Sequence, residues 1–286
     1  MLNGVYVPLI TPFKDGEVDY EGYKKLVEHY INEGVQGITP LATTGESAVL
    51  SDYEYDKLLN LTSEVNNHRV KIFVGHGGNN TRKLIEKLRV IEKAGVDGIL
   101  SVSPYYSRPD QRGILEHFAA IADSTALDIV LYNIPYRTGR NMENSTILKL
   151  AEKKNIIGIK DSCGSSDQSI NLLMNRPDDF SILTGEDVFF FSNLALGGQG
   201  GVMASAHLNT KKYLEVYNLI NTGDLNKALN IWREIYPNIP LLFKEPNPAP
   251  LKYVLNSQGL IDSEEVRLPL VIASKELREE LKLIIK

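Results

Sequence analysis

The feature that most constrains the fold is a regular alternation between short apolar runs and longer segments with one apolar face. Eight such runs recur at residues 4–11, 37–41, 72–75, 98–102, 129–133, 157–160, 181–184 and 201–204. Each run is continuously apolar, which is typical of parallel strands that are covered on both faces. The alternation therefore predicts repeated strand–helix units around a parallel sheet.

The segments between the runs have helical spacing. One apolar stripe, for example, is formed by Tyr23, Leu26, Val27, Tyr30 and Ile31, on the side opposite to charged residues. Glycines at positions 34, 95 and 197 follow such segments, where a left-handed cap residue belongs. Eight units in roughly 220 residues predict a (β/α)₈ TIM barrel of the α/β class. An open doubly wound sheet is the alternative, but it normally carries G-x-G-x-x-G after its first strand, and ITPFKDG stands there instead.

The pattern changes after residue 223. Leu225, Ala228, Leu229 and Trp232 continue a helical stripe with no further strand-like run after it. Ser274 is a candidate N-cap for a last charged helix at residues 274–286. We therefore predict a barrel domain at residues 1–223 and a C-terminal helical appendage at residues 224–286, packed on the barrel.

Composition excludes several classes of function. The net charge of −5 argues against binding to nucleic acid or to an anionic membrane. The single cysteine, Cys163, indicates a reducing compartment. The first residues lack a signal-peptide pattern, no apolar run reaches the ~20 residues of a membrane span, and we expect a cytoplasmic protein. The five histidines show no metal-binding spacing, so neither a metal nor a cofactor is expected.

Chemistry in a barrel is expected at the C-terminal ends of the strands. The second strand is followed by Thr43, Thr44 and Gly45. At a helix N-terminus, their hydroxyl and N–H groups would bind a carboxylate. An equally good interpretation is an ordinary N-cap, with Thr44 or Ser47 capping the next helix.

Two further strand ends place reactive side chains at the same mouth. Tyr105 and Tyr106 follow the fourth strand. Tyr132 lies near the end of the fifth strand, and Arg137 follows that strand. Tyrosine can carry protons and arginine can bind a carboxylate through two hydrogen bonds.

Lys160 ends the sixth apolar run, in Ile-Gly-Ile-Lys. A lysine is seldom buried without a use or a partner, and a desolvated lysine amine is a nucleophile that forms Schiff bases. A salt bridge to Asp161 or Glu186 explains the residue equally well on chemistry alone.

These motifs together resemble one known family. The chain is similar to the dihydrodipicolinate synthases, within the N-acetylneuraminate lyase superfamily of class I aldolases. The resemblance runs from Gly4 to at least Leu270, through the runs T-T-G-E-S (43–47), P-Y-Y (104–106), Y-N-I-P (132–135), R-T-G (137–139), I-G-I-K (157–160), E-P-N-P (245–248) and R-L-P-L (267–270).

The resemblance implies a role for each matched residue. Lys160 would form an imine with pyruvate, and Tyr132 would be the general acid/base. Thr44 would link Tyr132 to Tyr106 in a proton relay, with the tyrosine inserted from a neighbouring subunit. The pyruvate carboxylate would lie on Thr43 and Thr44, with Gly185 and Val202 closing the pocket. Arg137 would bind the carboxylate of L-aspartate 4-semialdehyde.

The implied activity is the aldol-type condensation of pyruvate with this semialdehyde in lysine and diaminopimelate biosynthesis, performed by a homotetramer of tight dimers. One alternative is a lyase of the same superfamily that cleaves a 2-keto-3-deoxy sugar acid or N-acetylneuraminate. Another is a barrel that binds keto acids without turnover.

The chain departs from the family pattern at several positions. Ala42 stands where a glycine is usual, and Asp161-Ser162 follows the lysine where many synthases have Glu-Ala. Lysine-inhibited members carry an acidic residue near the position of Lys83. A cation there predicts weak or absent inhibition by lysine.

Overall fold

The computed structural model describes residues 2–285. Eight parallel strands close into a barrel in the order β1-β10-β9-β8-β7-β6-β5-β4. The barrel strands are β1 (Gly4–Val7), β4 (Gly37–Ile38), β5 (Lys71–Gly75), β6 (Gly98–Val102), β7 (Asp128–Asn133), β8 (Ile156–Asp161), β9 (Ser181–Thr184) and β10 (Gly200–Val202). A two-stranded antiparallel sheet of β2 (Phe13–Lys14) and β3 (Glu17–Val18) follows β1. The predicted barrel is confirmed, and the open sheet is wrong.

Helices surround the barrel and then continue beyond it. They are α1 (Tyr20–Glu33), α2 (Asp52–Asn66), α3 (Thr81–Lys93), α4 (Gln111–Ala122), α5 (Pro135–Thr138), α6 (Asn144–Leu150), α7 (Ser166–Asn175), α8 (Phe190–Ala195), α9 (Thr210–Asn221), α10 (Leu225–Ile235), α11 (Asn238–Leu242), α12 (Ala249–Ser257) and α13 (Lys275–Leu281). Gly34, Gly95 and Gly197 have positive φ after α1, α3 and α8, as predicted. No helix of the described chain has the length and apolar character that crossing a membrane requires.

Two predicted strands end three or more residues earlier than expected, for one physical reason. β1 ends at Val7 instead of residue 11, and β4 ends at Ile38 instead of residue 41. Pro8 follows β1, and Pro40 lies within the predicted extension of β4. Because proline has no N–H group to donate, the regular ladder stops at or near these positions.

The core has two main layers. Side chains between the strands and the helices form the larger cluster. A second cluster fills the barrel interior and includes Tyr6, Phe73, Leu100, Val130 and Leu183. Alternation along the strands sends Lys160 and Tyr132 to this interior side, where β7 and β8 pair them directly in register. The fold thus places both residues next to each other at the mouth.

The C-terminal helices pack against the barrel. α10 lies along α9, and α11, α12 and α13 share a third cluster around Leu242, Val254 and Leu277. Ser274 caps α13 by accepting a hydrogen bond from Leu277 N at 3.2 Å, as predicted. The division into a barrel domain at residues 1–223 and an appendage at residues 224–286 stays a proposal. Met1 and Lys286, which begin and end these two segments, lie outside the described residues.

Candidate active site

A cavity of about 620 Å³ opens at the C-terminal ends of the barrel strands. Its wall contains every predicted site residue except Tyr106: Thr43, Thr44, Tyr132, Arg137, Lys160, Gly185 and Val202. A neighbouring cavity of about 490 Å³ shares Thr43, Tyr132 and Arg137 with it. The closed barrel therefore brings together residues that are up to 159 positions apart in the chain, from Thr43 to Val202.

Lys160 lies at the end of β8 and is only 7% exposed. Its Nζ is 4.3 Å from the ring centroid of Tyr132. Among the ion pairs of residues 2–285, none within 4.0 Å includes Lys160, so the salt bridge to Asp161 or Glu186 is wrong. Burial lowers the pKa of Lys160 to about 8, although Asp187 and Glu186 oppose this effect. The lysine is therefore a desolvated amine whose neutral fraction at neutral pH is far larger than that of an exposed lysine.

This pKa predicts the pH dependence of imine formation. Only the neutral amine attacks a carbonyl carbon, so the rate should rise about tenfold per pH unit well below pH 8 and level off above it. Rapid-quench trapping of the pyruvate imine with borohydride, from pH 6 to pH 10, measures this rate. A rate that keeps rising through pH 10 would contradict the depressed pKa.

Tyr132 is buried beside Lys160, and burial raises the pKa of its phenol well above the ordinary value. The phenol is therefore protonated at neutral pH and starts as a proton donor. The Ser162 hydroxyl lies near enough to oppose this rise in pKa slightly, but it falls outside hydrogen-bonding geometry. Ser162 is 1% exposed, and its Oγ has no hydrogen-bond partner in the described chain.

Gly185 leaves the space that this arrangement needs. A Cβ atom at this position would lie 2.5 Å from Lys160 Cε and 2.3 Å from Ser162 Oγ. Both contacts are far shorter than packed side chains tolerate. A side chain at residue 185 would therefore displace the lysine.

The loop after β4 differs from the prediction. Thr43–Gly45 and Ser47–Val49 are short 3-10 helices, and α2 begins only at Asp52. Ser51 caps α2 in a capping box with Glu54, so both the expected helix N-terminus at Thr43 and the N-cap role of Thr44 or Ser47 are wrong. The Thr44 side chain instead accepts a hydrogen bond on Oγ1 from Asn247 Nδ2 at 2.9 Å.

Tyr106 does not enter the cavity of its own chain. Its side chain is 90% exposed, and its backbone has a positive φ of 66°. Within the described chain, therefore, Thr44 does not connect Tyr132 to Tyr106.

Arg137 lies at the rim of the cavity and is exposed. Its Nε donates to the Tyr136 hydroxyl at 3.1 Å, which leaves the outer edge of the guanidinium accessible from the mouth.

A sequence model of the Dihydrodipicolinate synthetase family matches residues 1–286. The chain belongs to this family. The 4-hydroxy-tetrahydrodipicolinate synthase 2 of Clostridium acetobutylicum is 59% identical over 280 residues, which cover 98% of each chain. The predicted family is confirmed.

Solved structures of the family superpose closely. The synthase of the methanotroph Methylacidiphilum fumariolicum has a TM-score of 0.96 at 40% identity, covering 99% of this chain and 95% of that one. The chloride-inhibited synthase of Acinetobacter baumannii, in complex with pyruvate, has a TM-score of 0.96 at 35% identity, covering 99% and 98%.

Asp187 and Asn247 line the cavity but were given no role from the sequence, and Glu186 was named only as a possible salt-bridge partner of Lys160. Glu186 and Asp187 follow β9 and line the cavity, and Asp187 accepts hydrogen bonds from Ser205 N at 2.7 Å and from Ser205 Oγ. Their position directly after a barrel strand was the available signal. Asn247 lies in the E-P-N-P run that carries the resemblance, but nothing in the strand pattern predicted its contact with a residue 203 positions away.

Proposed function

We propose that this enzyme condenses pyruvate with L-aspartate 4-semialdehyde through an imine on Lys160. The observation that carries the proposal is a buried, unpaired lysine with a depressed pKa, which lines the cavity beside a tyrosine. Membership of a family whose curated relatives are named 4-hydroxy-tetrahydrodipicolinate synthase supports this activity over other imine chemistry.

The proposed steps follow from the chemistry of the side chains. The neutral Lys160 amine adds to the keto carbon of pyruvate, and loss of water from the carbinolamine gives the imine. Loss of a proton from the methyl carbon gives an enamine, whose carbon attacks the aldehyde. The ring centroid of Tyr132 lies 4.3 Å from Lys160 Nζ. The Tyr132 hydroxyl is therefore placed to donate and recover protons in these steps.

The carboxylates are assigned to separate parts of the cavity. The Thr43 hydroxyl and the backbone N–H groups of Thr43 and Thr44 would hold the pyruvate carboxylate, without the dipole of a long helix, which leaves the Thr44 hydroxyl for the relay. Arg137 stands further out, at the rim, where it would bind the carboxylate of the second substrate. Gly185 and Val202 also line the cavity.

Tyr106 requires a second copy of the chain in this scheme. A side chain that is 90% exposed and outside its own cavity is available to enter the cavity of another subunit. We therefore propose at least a dimer, and the family resemblance extends this to a tetramer of dimers. The cytoplasmic location stays a prediction.

Substrate profiling tests the activity. With pyruvate present, the enzyme should turn over L-aspartate 4-semialdehyde at least ~100-fold more efficiently, in kcat/KM, than it cleaves 2-keto-3-deoxy sugar acids or N-acetylneuraminate. The reverse preference would favour the lyase. Trapping of pyruvate without turnover of any aldehyde would favour the binding barrel.

Lysine should inhibit the enzyme weakly or not at all. Lys83 is exposed in the first turn of α3, where its ammonium group would repel the ammonium groups of lysine. A lysine titration of the initial rate measures this, and Lys83→Glu should increase any inhibition. Strong inhibition of the native enzyme at low lysine concentration would contradict the prediction.

A further inference from the structure

Two segments far apart in the sequence meet in the wall of the cavity. Asn247 lies in the C-terminal region directly before α12, and Thr44 lies in the loop after β4. Their side chains are 8% and 5% exposed and are joined by the 2.9 Å hydrogen bond from Asn247 Nδ2 to Thr44 Oγ1. Both residues also line the cavity, so the bond is part of its wall.

The direction of this hydrogen bond determines what the threonine hydroxyl can still do. A hydroxyl has one proton to donate and two acceptor sites, whereas an amide NH₂ group can only donate. Donation from Asn247 occupies one acceptor site of Thr44 and prevents its O–H from turning toward Asn247. One donor and one acceptor site remain, which is the set that a hydroxyl needs to pass a proton from one neighbour to another.

A second contact between the same segments fixes this geometry. Lys252, in α12, pairs with Glu46 at 2.5 Å, and both side chains are fully buried. The other carboxylate oxygen of Glu46 accepts a hydrogen bond from Arg267 N at 3.1 Å. Glu46 is two residues from Thr44 in the chain, so the C-terminal region holds the loop at both positions.

We propose that Asn247 is a positioning residue for proton transfer, because it orients the Thr44 hydroxyl so that its proton stays available on the cavity side. The inference rests on the proposed function, in which Thr44 relays protons between Tyr132 and a partner's tyrosine. Asn247 itself transfers no proton. It acts on the rate of the proton-transfer steps, including those of imine formation, and it leaves the Lys160 amine able to form the imine once equilibrium is reached.

Asn247→Asp provides the sharpest test. Aspartate has nearly the same shape, but its carboxylate accepts hydrogen bonds and would bind the Thr44 proton. We expect kcat to fall at least tenfold, with pyruvate still trapped by borohydride on Lys160. Asn247→Ala removes the donor without sequestering the proton and should lower kcat by a smaller factor. Urea unfolding of each variant reports whether it is folded.

Asn256→Asp is the matched control. Asn256 also lies in the C-terminal region, and its Nδ2 donates to Ile261 O at 3.0 Å, away from the cavity. The same substitution there should leave kcat within twofold of the native value.

A double-substitution cycle separates positioning from a general structural effect. In a Thr44→Val background there is no hydroxyl to orient, so Asn247→Asp should lower kcat no further than twofold. Additive losses would overturn the proposal, as would a kcat of Asn247→Asp within twofold of the native enzyme. Failure of the native enzyme to trap pyruvate would instead overturn the proposed function.

Discussion

Replacing Lys160 with arginine is expected to lower kcat by roughly 10⁴-fold or more, because it removes the group that forms the covalent intermediate. Arginine keeps the positive charge, but its guanidinium stays protonated and cannot form the imine. Treatment with pyruvate and borohydride, followed by mass spectrometry, should show no adduct on the variant and one on the native chain.

Lys149→Arg serves as the control for this substitution. Lys149 lies in α6 and forms an ion pair with Glu152 at 2.6 Å on the surface. Its conversion to arginine should leave both the adduct and kcat unchanged. A borohydride-stable pyruvate adduct on Lys160→Arg would show that another amine carries the chemistry.

Replacing Lys252 with methionine is expected to lower the free energy of unfolding by about 3–5 kcal/mol, because it leaves the Glu46 carboxylate buried without its counter-charge. Both side chains of this pair are fully buried, and the Lys252 ammonium also donates to Glu265 O at 2.8 Å. Burial lowers the pKa of Lys252 to about 8, against the pull of Glu46, which reflects how strongly the site disfavours charge. Urea unfolding followed by circular dichroism measures the loss.

Lys14→Met is the matched control for the stability effect. Lys14 pairs with Asp262 at 3.0 Å, but both side chains are more than half exposed. The same lysine-to-methionine change should therefore cost less than about 1 kcal/mol. Adding Glu46→Gln to Lys252→Met should recover part of the loss, since it removes the unpaired charge. Equal effects of Lys252→Met and Lys14→Met would show that the buried pair contributes little.

The fold was largely predictable because the barrel repeats one simple pattern. Continuous apolar runs separated by amphipathic segments admit few architectures, and six of the eight strands lie within about two residues of their predicted ends. The two strands that end early do so at or near Pro8 and Pro40, which were visible in the sequence but were outweighed by the apolar run. A proline inside an apolar run ends the regular strand ladder even when the residues on both sides of it are apolar.

The site was predictable where position along a strand determines the direction of a side chain. Lys160 and Tyr132 could be placed at the mouth from the ends of β8 and β7. The helix expected at Thr43 was wrong, although Ser51 and Glu54 already formed a capping-box pattern eight residues later. The proton relay through Tyr132, Thr44 and Tyr106 was predicted only from the resemblance to a family, because strand positions alone do not imply it.

Contacts between distant segments were beyond sequence reasoning. The hydrogen bond from Asn247 to Thr44 joins residues 203 positions apart and has no periodic signal. The orphaned Ser162 hydroxyl is likewise visible only once β8 packs against its neighbours. Such contacts depend on the packed tertiary structure, and composition and spacing do not encode them.

The attachment of the C-terminal region to the loop after β4 also limits how this protein can be recombined with its relatives. Asn247, Lys252 and Arg267 all contact residues between Thr44 and Glu54. A chimera with its crossover after α9 would separate these partners, even though that point follows the last barrel unit. The loop after β4 and the C-terminal segments that contact it therefore have to be exchanged together. In a functional chimera, both should come from the same parent protein.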